Sequence, residues 1–157
     1  MLAFFTLVYH LHNTENQIRT QKESNKQNLA KYTYDICSDF RKPAMMDSIE
    51  NTRVLLKSQS GLLVNMEKAK EFDNYLNKNA EYRKSLVLII NYFESISAMA
   101  LVGDLNDEIV KRLFGTLFTV YYKKLQYYID YKQTLENPRS WANFEKLAKK
   151  WLEEDKY

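Results

Sequence analysis

Ser85-Leu-Val-Leu-Ile-Ile-Asn-Tyr-Phe-Glu-Ser-Ile-Ser-Ala-Met-Ala-Leu-Val102 is the most apolar stretch of the chain. It contains no Gly or Pro, and on length alone it could be a short membrane span. Asn91, Glu94, Ser95 and Ser97 count against lipid, where polar side chains are costly. A helix apolar on nearly every side is the buried centre of a helical bundle. The flanking segments must then supply helices to cover it. Glu94 is its one charge, and Asn91 lies one turn earlier on the same face. A buried carboxylate needs a partner. Arg53, Arg112 or Lys123 could form an ion pair with it that sets helix register. Asn91 and Glu94 are thus the candidate buried polar or ligand site.

Downstream, Gly103 can end the central helix in a left-handed conformation, and Asn106 can cap the next. Asp107 and Glu108 follow in its first turn, where acids suit the helix dipole. This helix runs to about Glu136 and carries Ile109, Leu113, Leu117, Val120, Tyr121, Leu125, Tyr128 and Ile129. Gly115 inside it implies a close crossing with the 85–102 helix. Asn137-Pro138 reads as cap and first residue of a last helix, whose stripe is Trp141, Phe144, Leu147, Ala148 and Trp151. Upstream, Pro43 starts a helix that ends at Ser60-Gly61. A third helix carries Met66, Ala69, Phe72 and Leu76, and turns at Asn77-Lys78-Asn79.

The chain opens Met-Leu-Ala-Phe-Phe-Thr-Leu-Val-Tyr-His-Leu-His. Leu2 to Leu11 is about half of the roughly 20 residues that span a bilayer, and it lacks the basic start of a signal peptide. Three readings stay open: the tail of a membrane helix that starts upstream, a segment packed on a partner or on the domain, and a shallow interfacial anchor. Arg19, Lys22, Lys26 and Lys31 follow it and would place the domain on the cytoplasmic side of a cell membrane; the alternative is a cytoplasmic protein. Asn13 to Asn28 is almost wholly polar, and packing resumes at Leu29, Tyr32, Ile36 and Phe40. One long helix to about Ser38 is expected, its first two-thirds projecting. The domain division is 1–28, helix and polar spacer, and 29–157, bundle.

With 157 residues, three Gly and two Pro, the chain suits one domain with a real core and has too few turn residues for many strands. The lone Cys37 cannot close an intrachain disulfide; it reads as a half-buried small residue rather than a reactive thiol. Net charge is +3, a weak case for nucleic acid. His10 and His12 would point about 200° apart on a helix. No Glu-x-x-His pair, phosphate-binding Gly loop or nearby Ser-His-Asp set occurs. No catalytic residue, cofactor or metal is assigned. Twelve tyrosines, five of them among Tyr121, Tyr122, Tyr127, Tyr128 and Tyr131, suit core and protein interface. Candidate interface residues are Leu2, Phe4, Phe5, Val8, Tyr127 and Tyr131.

Asn91-Tyr92-Phe93-Glu94, Gly103, Leu113-Phe114-Gly115, the aromatic-rich helix, and Trp141 and Trp151 resemble an uncharacterised bacterial family of helical domains. It is catalogued as a domain of unknown function, number forty-seven sixty. The resemblance covers about residues 85–152 and looser stretches from Leu29. It implies a helical domain behind an N-terminal membrane segment and carries no reaction, substrate or ligand with it.

The expected fold is all-α: an irregular bundle of about five or six helices with a long projecting N-terminal helix. The expected function is a non-enzymatic protein-interaction or sensing module tethered at a membrane, with a protein partner or self-association. The alternatives are a soluble domain binding a small ligand or nucleotide around Asn91 and Glu94, in bacterial or phage defence by association, or an enzyme of unknown type.

Overall fold

The computed structural model describes residues 2–155, with side-chain surroundings from Asn13 onward. Among the described residues there are six α-helices and no strand: α1 (Leu2–Ser38), α2 (Pro43–Ser58), α3 (Met66–Lys78), α4 (Ala80–Val102), α5 (Asp107–Leu135) and α6 (Ala142–Glu154). Single 3-10 turns at Asp39–Arg41 and Ser60–Leu62 join α1 to α2 and lead from α2 toward α3. This is the expected all-α irregular bundle, and α1 is the expected long helix.

Local chemistry places most boundaries. Pro43 stands in the first turn of α2, where its missing N–H is no loss. Asn65 caps α3 by accepting from the Lys68 N–H at 2.8 Å, and Asn106 caps α5 by accepting from the Ile109 N–H at 3.1 Å. Gly103 ends α4 at φ 86°, the left-handed conformation that glycine adopts without a Cβ clash.

α4 packs against α2 and α6, while α5 packs against α6 and α3. Leu86, Ile89, Ile90 and Phe93 of α4 are fully buried. By length and composition alone α4 could cross a membrane; 44% of that apolar window is buried in the bundle. Phe93 sits at the centre of an aromatic cluster. Its ring lies 4.4 Å from Phe118, 5.3 Å from Phe144 and 5.5 Å from Tyr121. Phe118 stacks on against Trp151 at 5.3 Å. Such pairs each contribute about 0.5–1.5 kcal/mol beyond their area burial.

Among the described side chains of α1, those that join the bundle lie in its last turns. Residues 13–28 are exposed at every position. The Thr33 hydroxyl accepts from the Asn106 N–H at 2.9 Å and donates to the Leu29 carbonyl at 2.7 Å, fastening α1 to the α4–α5 turn. Tyr92 donates to the terminal carbonyls of α1 at Ile36 (3.3 Å) and Cys37 (3.4 Å), which the helix itself leaves open.

Two expectations are corrected. Gly115 is not at a crossing with α4: a Cβ built there would meet only the Lys111 Cγ of its own helix, at 3.3 Å. α4 and α5 meet through Phe93, Phe118 and Tyr121, and α6 packs against both. Asn137-Pro138 does not start α6 either. The Asn137 side chain accepts from the Arg139 N–H at 2.9 Å and its carbonyl from the Ser140 N–H at 2.9 Å, making a tight turn. The helix begins at Ala142, because its cap comes from elsewhere in the fold.

Candidate functional site

The cap of α6 is on α4. Trp141 precedes the helix in a left-handed conformation, φ 55°, and supplies no side-chain cap. Glu94 supplies it instead. Its Oε2 accepts from the Phe144 N–H at 2.8 Å, and its Oε1 from the Asn143 N–H at 3.3 Å and the Asn143 side-chain amide at 2.7 Å. These are the second and third helical positions, the donors a local Asp or Ser would normally satisfy. The negative charge also lies at the positive end of the α6 dipole. Asn91, one turn back on α4, accepts from the Trp141 indole N–H at 2.9 Å. That bond and the Trp141 ring, 5.9 Å from Tyr128, hold the left-handed residue in place.

Asn91 and Glu94 therefore form one constellation, as their spacing implies, and α6 occupies it. Glu94 is half-buried, and its bonded partners are an amide and two backbone N–H groups rather than Arg53, Arg112 or Lys123. Backbone donors complete the carboxylate's shell without desolvating a second charge.

The far end of α6 is fastened as well. Trp151, fully buried, donates its indole N–H to Asp107 at 3.2 Å, and Lys150 pairs with the same carboxylate. Lys111 reaches Glu154 at 2.9 Å and Asp155 at 2.8 Å. In mid-helix Glu145 accepts from Lys149 at 2.6 Å and from the Gln133 amide at 2.8 Å. Burial pushes the Glu145 carboxyl up; the Lys149 and Gln133 bonds overcome it and hold the carboxyl below its usual range.

A second polar cluster was missed in the sequence. Lys132 is 8% exposed, between α5 and α3, and bonds Asp73 at 2.7 Å and also Glu136. Tyr128 donates to Asp73 at 3.0 Å. Burial works against the Lys132 charge, but the Asp73 and Glu136 bonds hold its ammonium above the usual range. The signal was present: Lys132 continues the Leu125–Ile129 face at helical spacing, so the fold had to bury it.

Cys37 is 4% exposed, and burial pushes its thiol up to about 11, the behaviour of a packing residue. Tyr121, Tyr122 and Tyr128 are buried, whereas Tyr127 and Tyr131 are half-buried on α5. The side chains of Leu2, Phe4, Phe5, Val8, His10 and His12 lie outside the described residues. Among the described residues no three His, Cys, Asp or Glu gather as a metal site.

A bundle of this kind, with its last helix capped by a carboxylate on the central one, defines a class of helical domain with an interlocked C-terminal half. The particular family follows from comparison: the model of the domain of unknown function DUF4760 matches residues 1–151, and the chain belongs to that family. The match reaches well beyond the stretch from 85 to 152 that carries the resemblance. No curated protein and no solved structure matches the chain.

Proposed function

We propose that this protein is a non-enzymatic interaction or sensing module, held at a membrane through the tip of α1. The supporting observation is the projection of α1. Residues 13–28 are exposed at every position beyond the contacts with the bundle, and the helix runs on to Leu2, about 40 Å from residue 28 at 1.5 Å per residue. A helix exposed on all sides gains nothing from bundle packing. The end of that arm carries Leu2, Phe4, Phe5, Leu7, Val8 and Leu11, the apolar residues of the opening segment. Apolar surface displayed far from a core marks a membrane or protein contact. The polar spacer would then set the distance between that contact and the bundle.

Flotation with liposomes tests the reading, run on the full chain and on a chain lacking residues 1–12. The full chain should float with the vesicles and the shortened one should stay in the soluble fraction. A full chain that ignores vesicles and sediments as a monomer removes the tether from the proposal.

A further inference from the structure

A groove of about 820 Å³ runs between α2 and α5, and no residue of α6 lines it. Pockets of this size take small organic ligands when apolar walls carry a few placed polar groups. Along α2 the lining passes from Arg53 through Leu56 and Lys57 to Ser60 and, past the turn, Leu63. Along α5 it passes from Leu113 and Leu117 through Val120 to Tyr121 and Lys124. Arg53 and its neighbour Glu50 both act on the Tyr121 hydroxyl, with opposite sign, and Lys124 stands one turn beyond Tyr121 on α5 and lines the same groove. The groove is thereby polarised, with Arg53 and Lys124 at one end and Leu63 and Leu113 at the other.

Three further facts mark the basic end. Among the described residues Lys57 and Lys124 make no ion pair, and Arg53 has only a long 3.8 Å contact to Glu50. Tyr121 is 4% exposed, and its hydroxyl has no hydrogen-bond partner. A buried hydroxyl without a partner is rare in a folded protein. Val120, beside it, is a 42% exposed apolar side chain.

We propose that this groove binds a single-chain anionic amphiphile, with its head group between Arg53, Lys124 and Tyr121 and its tail along Leu56, Leu117 and Leu113. The head would meet two cations and an unused hydroxyl, and the tail would cover the half-buried Leu113 and Leu117 and the exposed Val120, with Leu56 as the buried floor. A neutral amphiphile gains only the second contact, and a small anion only the first. The proposal stands apart from the membrane tether, since no residue of α1 lines the groove.

Calorimetric titration of the full chain with dodecanoate, below its micelle concentration, tests it. One-to-one binding is expected. Octyl glucoside should bind at least tenfold more weakly, and acetate should give no measurable heat. Lys124→Glu should weaken dodecanoate at least tenfold, and Tyr121→Phe about threefold. Val120→Trp, at an exposed position, should fill the groove and abolish binding while leaving the melting temperature unchanged. Absence of dodecanoate binding overturns the proposal. So does equal binding by Val120→Trp, which would put the fatty acid elsewhere on the chain, such as the apolar N-terminus. Equal affinity for octyl glucoside would leave the cations without a role and overturn it too.

Discussion

At Glu94 two carboxylate oxygens meet N–H groups that no side chain of α6 satisfies. Replacing Glu94 alone strands two backbone donors and the Asn143 amide, because Trp141, at the cap position, offers no acceptor side chain. Glu94→Leu should therefore lower the unfolding free energy by about 1–3 kcal/mol, the cost of buried groups left unsatisfied. Glu94→Gln, which keeps one acceptor oxygen, should cost less; urea unfolding of both variants measures the difference. Gly115 carries the opposite expectation. A methyl group there meets only the flexible Lys111 chain, and Ala favours helix over Gly by about 1 kcal/mol. Gly115→Ala should raise the urea midpoint, and a drop would restore the close-crossing interpretation. The need of Glu94 for a partner was legible from its isolation among apolar residues. The partner's identity was not, because a backbone N–H is carried by nearly every residue and leaves no mark in the sequence.

Among the elements, α4 and α6 show opposite degrees of legibility. The 85–102 stretch states its own burial, and Gly103 and Asn106 punctuate it by local chemistry that needs no neighbour. Asn137-Pro138 has the same local form yet folds as a turn, because a carboxylate on α4 fixes the start of α6 four residues later. α6 also holds the clearest pH response. The Glu145 carboxyl has a lower folded value than the ordinary 4.5, burial being outweighed by Lys149 and Gln133. Its contribution is fully present above that ordinary value and is lost as pH falls through the folded one. Wild type should exceed Glu145→Gln in stability at pH 6, and the gap should close toward pH 3 in parallel urea titrations. An unchanged gap would show that Glu145 titrates alike in both states.

For the whole molecule, the bundle and the arm are separate problems. Aromatic and aliphatic periodicity was enough to give an all-α bundle, because each helix buries one recognisable face. The arm was legible for the converse reason: the 13–28 spacer offers the core almost nothing apolar, and the structure leaves it in solvent. Deleting residues 1–12 should accordingly leave the thermal unfolding of the bundle unchanged within about 1 °C, by circular dichroism or calorimetry. A large fall would place that segment in the core.

The trans cap also imposes an order on assembly. Glu94 and Asn143 are 49 residues apart, so the cap that starts the last helix does not exist until that segment has met α4. A helix of 13 residues with no cap of its own is marginal in water. A synthetic peptide of residues 136–157 should show little helicity, whereas Ala142–Glu154 is helical in the folded chain, where α4 supplies its cap. α6 is then the closing step of folding, and its formation reports that the rest of the bundle is complete.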